Sequence, residues 1–256
     1  MTHKRITISL LIVFSVLMAY SAFGIPLDWP RPHFLTSLNT LVGFSAAFSH
    51  AWQRLGLKRT LVFWASSFVI SLVFESIGVA TGLVYGSYHY TDKLGPKFLG
   101  LVPYLIPIAW FLMMYPSYVI ADRLARGKLF GWKRFLLVAA IGGLVMTAWD
   151  VGMDPMMVAN GHWVWEVNGA YFGVPLQNYW GWWLTVFITF TVYLFLMRDS
   201  RLLDDKRFDR LAILVYIATG LGNLLQGHFI GLGGAALAGF FAMAPWVITG
   251  WLITSD

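Results

Sequence analysis

Three carboxylates stand inside or at the ends of otherwise apolar stretches. Glu75 lies within the run SLVFESIGVATG, Asp150 closes a later apolar run, and Asp154 follows one helical turn on. A charged side chain at the centre of a bilayer costs roughly 2.5–3.5 kcal/mol on insertion scales, and such residues usually face an internal cavity. A carboxyl set among hydrocarbon holds its proton more tightly. It can therefore act as a Brønsted acid toward an apolar partner or as a proton carrier in transport. Each acid also has a plainer reading. Glu75 could make a hydrogen bond between helices, and Asp150 could be an interfacial helix end. Asp154 could be an N-cap ahead of Pro155 at a first helical position.

The surroundings of these acids repeat. Residues 150–183 (DVGMDPMMVANGHWVWEVNGAYFGVPLQNYWGWW) hold three carboxylates, no Lys or Arg, and many Trp, Tyr, Gly and Asn. Residues 75–110 echo them. GSYHY (86–90) aligns with GHWVW (161–165) at a constant offset of 75, which also carries Glu75 onto Asp150. FLGL (98–101) answers YFGV (171–174), and a proline follows each, at Pro103 and Pro175. We expect the two stretches to face each other and form the working site. Glu75, Asp150 and Asp154 would be its acids, with Tyr88, His89, Trp163, Trp165 and Asn178 around the substrate.

Alternation in WVWEV followed by Asn168-Gly169 predicts a small hairpin there, because Asn-Gly suits the positive φ that tight hairpin turns require. Tyr88 and Tyr90 should begin a looser hairpin around Gly95-Pro96. An interfacial belt of Trp and Tyr is the bland alternative for any one of these rings. It does not explain why they recur in register with an acid.

The elements that must position these residues are transmembrane helices. The 256 residues are 58% hydrophobic and only 12% charged, with a mean hydropathy of +0.67; soluble domains carry roughly 25% charged residues. Eight apolar segments of about the length a bilayer needs fall near 6–25, 34–51, 60–82, 101–122, 135–153, 180–197, 211–227 and 232–252. The expected fold is an all-α polytopic membrane protein, one domain over 1–256, with two short aromatic hairpin-like loops on the non-cytoplasmic face. An internal repeat would relate 60–122 to 135–197. Of 18 Lys and Arg residues, fifteen fall in one alternate set of loops and only Arg31, Lys93 and Lys97 in the other. That split places both termini in the cytoplasm, in the cell membrane. It also assigns the net charge of +6 to membrane orientation rather than to nucleic acid. The first segment could be a cleaved signal peptide ending near Ala19-x-Ser21, but apolar character continues to Ile25, which favours a retained helix. Residues 198–210 read as a charged cytoplasmic connector.

Other chemistries find no support. There is no cysteine, so no thiol or disulfide chemistry. The histidines are scattered, without the three- or four-residue spacing of helical metal sites, and no metal is expected. No Rossmann glycine pattern or P-loop occurs, and no cofactor is expected. GLGGAALAG (231–239) has the small-residue spacing of close helix packing.

The runs FESIGVATGLVYGSYHYTDKLGPKF, VPYLIPIAWFLMMYPSY and WDVGMDPMMVANGHWVWEVNGAYFGVPLQNYWGWW resemble the membrane carotenoid-biosynthesis protein family, which includes carotenoid 1′,2′-hydratases. The resemblance covers roughly 35–250. It implies addition of water across the terminal double bond of a ψ-end carotenoid: protonation gives a tertiary carbocation, which water captures. Such a reaction needs an acid in an apolar place, π-faces for the cation, and a second polar group for water. Glu75 or Asp150 would give the proton, Asp154 and Asn178 would handle water, and Tyr88, Trp163 and Trp165 would line the cation pocket. The implied partners are the carotenoid, water, the bilayer and other enzymes of the pathway. An end-group cyclase, which also begins by protonating an alkene, and a proton-coupled transporter are the competing readings.

Overall fold

The computed structural model describes residues 2–198 and 205–254; residues 199–204 of the expected charged connector lie outside the described residues. Eight long helices account for most of it: α1 (Thr2–Phe23), α2 (Leu35–Leu55), α3 (Leu57–Thr81), α4 (Leu105–Leu124), α5 (Gly131–Ala159), α6 (Leu176–Met197), α7 (Lys206–Phe229) and α8 (Gly233–Ile253). Among the described residues, seven are long and apolar enough to cross a membrane. The chain is a multi-pass membrane protein. α2 is as long as the others but more polar. Thr36, Asn39 and Thr40 line an internal cavity, while His50 and Arg54 are buried near its other end.

Helix α4 forms the centre of the bundle. Its side chains from Trp110 to Arg123 are all buried, and it packs against α2, α3, α5, α7 and α8. Apolar side chains at the rim, such as Phe240, Phe241 and Leu252, stay exposed, as a lipid-facing surface requires. Small residues let helices approach where the glycine spacing of 231–239 anticipated it. A Cβ on Gly239 of α8 would lie 2.9 Å from the Cα of Gly152 on α5.

Helix α5 departs from expectation. Asp150 does not close it and Asp154 does not cap a new helix, because α5 continues through Pro155 to Ala159. A proline inside a helix frees the carbonyl four residues earlier. Here that is the carbonyl of Val151, and the Tyr171 hydroxyl donates to it at 3.1 Å. The outside partner is what lets the helix run on.

Four short strands join the helices on one face: β1 (Tyr88–Tyr90), β2 (Lys97–Phe98), β3 (Val102–Pro103) and β4 (Trp163–Trp165). They make two small antiparallel sheets, β1 with β4 and β2 with β3. The looser hairpin expected to begin at Tyr88 and Tyr90 does not form around Gly95-Pro96: that strand leaves for β4, and the local hairpin is β2 with β3, which turns at residues 99–101. The second expected hairpin is wired differently. β4 does not fold back across Asn168-Gly169; it pairs with β1 in the register Tyr88↔Trp165, His89↔Val164, Tyr90↔Trp163. Glu166 N–H donating to Ser87 O (2.9 Å) and Thr91 N–H to His162 O (3.1 Å) extend that ladder. The Asn-Gly turn closes only locally, with Gly169 N–H donating to Gly173 O at 2.9 Å.

At the far end of the bundle from these sheets lies a buried ionic cluster. Asp209 of α7 accepts from Arg54 Nε of α2 at 2.6 Å and pairs with Arg123 of α4; Arg134 pairs with Asp122. His50 bridges the Tyr115 hydroxyl (2.6 Å) and the Phe208 carbonyl (2.8 Å). It thereby ties α2 to α4 and α7.

Candidate active site

The β1–β4 pairing joins the two acid-bearing halves. Residues alternate across a strand, so Tyr88, Tyr90, Trp163 and Trp165 turn inward, while His89 and Val164 face out. Glu75 on α3 is buried and accepts three hydrogen bonds. Tyr88 Oη and Tyr90 Oη both donate to Oε2, the latter at 2.9 Å, and Trp110 Nε1 of α4 donates to Oε1 at 2.9 Å. Burial, followed by the charge of Glu75, pushes both phenols well above their ordinary range. They therefore stay protonated and able to donate.

Asp150 and Asp154 occupy one face of α5, a turn apart. Asn178 of α6 donates one amide nitrogen to both, at 2.8 Å to Asp150 Oδ2 and 2.7 Å to Asp154 Oδ2. Trp163 Nε1 donates to Asp154 Oδ1 at 2.8 Å, and Trp165 Nε1 reaches the same oxygen at 3.4 Å. The other oxygen of Asp150 is buried with no hydrogen-bond partner among the described residues. The indoles of β4 thus serve Asp154 as the phenols of β1 serve Glu75. By contacts the counterpart of Glu75 is Asp154, one turn beyond the Asp150 that the constant offset indicates.

A cavity of about 670 Å³ joins the two clusters. Glu75, Asp154, Tyr88, Trp163, Trp165 and Asn178 line it, so six of the eight expected site residues come together. Asp150 does not line it; it stands behind Asn178. His89 is excluded outright. Its ring is 54% exposed and pairs with Glu166 at 2.5 Å on the outer side of the sheet. Strand alternation alone predicts this once Tyr88 and Tyr90 face in.

Sequence reading missed part of the aromatic wall. Trp110 and Trp182 stack with ring centroids 4.2 Å apart, Trp149 meets Trp182 edge-on at 5.8 Å, and all three line the cavity. Tyr90 joins them. The signal was available: beyond the strands the repeat offset shortens to 72, carrying Pro103 onto Pro175 and Trp110 onto Trp182. Arg31, Lys93 and His162 stand elsewhere on the cavity lining. Burial and then the Lys93 charge lower the pKa of His162 to about 4, so its ring is neutral near pH 7. Among the described residues no group of three or more His, Cys, Asp or Glu is placed to hold a metal ion.

Set against known proteins, the family model described as "Carotenoid biosynthesis protein" matches residues 35–248. The chain belongs to this family. A curated relative, the bisanhydrobacterioruberin hydratase of Haloarcula japonica, is 32% identical over 170 residues, 64% of this chain. The chain spans 56% of that relative's length. No solved structure matches. The acids, the four strands and the tryptophans of the cavity all fall within the matched span, whereas Phe14, Met18 and Ser21, which α1 adds to the lining, lie before it.

Proposed function

We propose that this protein is a carotenoid-modifying enzyme that adds water across the terminal C1′,2′ double bond of a ψ-end carotenoid. The observation that carries the reading is the placement of Glu75 and Asp154 on one cavity walled by tryptophan and tyrosine. The relative named as a hydratase supports the same chemistry. A cavity of about 670 Å³ is within the range of small-molecule sites, ~300–1,000 Å³, and suits the end of a long polyene.

The residues divide the work as follows. Asp154 faces the cavity, so it delivers the proton to C2′. Asp150, tied to Asp154 through the shared Asn178 amide, keeps one proton on the aspartate pair between turnovers, since neighbouring carboxyls disfavour both being charged. The tertiary cation at C1′ lies against the indoles of Trp110, Trp163 and Trp182, whose π-faces attract positive charge. Glu75, held as an acceptor by three donors, balances that charge from the other side. Water forms the new C–O bond and returns a proton to the aspartate pair. One water is added, and the acid is restored.

The two halves, 60–122 and 135–197, read as a repeat about a two-fold axis within one membrane unit. In support, His89 and Val164 are one repeat offset apart and pair with each other, and Trp110 stacks on its counterpart Trp182. We place the sheets and acids at the non-cytoplasmic side of the cell membrane, with both termini in the cytoplasm. α1 packs on α2 and α7 and supplies Phe14, Met18 and Ser21 to the cavity.

Expression in cells that accumulate lycopene, followed by mass analysis of the pigments, tests the reaction. Gain of one water is the expected result. An isomer of unchanged mass with altered retention and spectrum would make the protein a cyclase. Unaltered pigment would contradict an enzymatic role and favour transport.

A further inference from the structure

The cavity has a second wall that acids and aromatic rings leave unexplained. Thr36, Asn39 and Thr40 of α2 and Thr219, Asn223 and Gln226 of α7 line it. Asn39 and Thr40 lie three and four residues after Thr36, and Asn223 and Gln226 continue from Thr219 at four- and three-residue steps, so each set forms a stripe along one face. A hydrocarbon end group offers them no partner. Several are satisfied on their own helix: Thr40 Oγ1 donates to Thr36 O at 3.0 Å, Thr219 Oγ1 to Val215 O at 2.8 Å, and Gln226 Nε2 to Gly222 O at 3.2 Å. The two asparagines are not. Asn39 Nδ2 donates to Ser21 Oγ of α1 at 2.8 Å, but its Oδ1 is buried with no partner among the described residues. Asn223 is only 8% exposed, lines the cavity, and makes no side-chain hydrogen bond among the described residues. A buried amide left without a partner costs about 1–3 kcal/mol. Polar groups of this kind inside a membrane bundle face internal water or a substrate path.

We propose that this stripe is the water-binding wall of the site, with Asn39 and Asn223 holding the water that captures the cation. The inference rests on the hydration reading above and deepens it. The protonated carbon end lies against the aromatic wall, and the nucleophile arrives from the amide wall opposite. A lone pair of the held water forms the C–O bond, and the proton released from that oxygen passes to the carboxylate that protonated the alkene. Without a held water, the cation has another outlet. It gives a proton back to the same carboxylate and reverts to an alkene.

That outlet supplies the test. Membranes carrying the wild type, Asn39→Leu, Asn223→Leu or Asn223→Ser are incubated in heavy water with lycopene at matched amounts of folded protein. Both hydrated product and deuterium in recovered alkene are measured by mass. Each Leu variant should lose hydration by about tenfold or more while still washing deuterium into the alkene. Asn223→Ser, which keeps a polar group and room for water, should recover part of the hydration. Undiminished hydration in both Leu variants overturns the water wall alone. Loss of hydration and exchange together, without rescue by Asn223→Ser, also overturns it and makes the stripe a substrate-binding surface. A wild type that neither hydrates nor exchanges overturns the hydration reading itself, and this inference with it.

Discussion

At the scale of residues, the cavity separates two acids that the sequence treats alike. Glu75 and Asp150 are conspicuous in the chain because a carboxylate inside an apolar helix is expensive and rare. Which acid meets the substrate was not legible, since that depends on where α5 turns its faces. Asp154→Asn should cut hydration by about 10²–10⁴, the span of a lost general acid, while the protein still reaches the membrane. Asp150→Asn and Glu75→Gln should each lower it substantially. Pigment analysis alongside an immunoblot of the membranes measures this; full activity in Asp154→Asn would refute the proton donor, and full activity in both Glu75→Gln and Asp150→Asn would refute the supporting roles given to those two acids. His162 gives a pH signature. Its pKa falls from an ordinary 6.5 to about 4 in the folded protein, so the unfolded chain takes up the proton first. The stability owed to the neutral ring is therefore complete above pH 6.5 and lost as pH falls toward 4. Melting temperature in detergent should drop across that window, and less steeply in His162→Asn.

At the scale of elements, the strands were legible and their partner was not. Alternating aromatic residues marked β1 and β4, but Asn168-Gly169 is a local signal and suggested a local hairpin. The ladder went instead to the other half of the chain, where Glu75 and Asp154 each draw on the inward rings. The absence of native cysteine makes the register testable. His89 and Val164 sit directly opposite and outward, at a separation of about 5.5 Å between Cα atoms if the pair is hydrogen-bonded, which suits a disulfide. His89→Cys with Val164→Cys should cross-link on mild oxidation with activity retained; failure to cross-link would contradict the pairing. Pro155 misled for a comparable reason. A proline after an aspartate suggests a helix start, and only the Tyr171 hydroxyl, sixteen residues away in sequence, lets α5 continue. Close helix contact was readable from glycine spacing. Gly239→Leu should destabilise the bundle by about 1–3 kcal/mol or more through overpacking against Gly152, seen as a lower melting temperature.

At the scale of the whole molecule, composition and the loop distribution of Lys and Arg were enough to give a multi-pass helical protein. They could not show that α2 is polar because it serves a cavity at one end and an ionic cluster at the other. That cluster stands ~20 Å from Trp110, reckoned along α4 to Arg123 at 1.5 Å per residue, so it should govern stability rather than chemistry. Asp209→Asn leaves the charges of Arg54 and Arg123 without their carboxylate and should cost about 3–5 kcal/mol, while any protein that folds keeps its product profile. The fold, the strands and the acids together make one claim: an acid in an aromatic cavity protonates a polyene end, and water captures the cation. The most direct test is to incubate wild-type and Asp154→Asn membranes with lycopene in ¹⁸O-labelled water and weigh the product. The account predicts a tertiary alcohol carrying the heavy oxygen from the wild type and almost none from Asp154→Asn. A product without the label, or equal labelling from both, would contradict it.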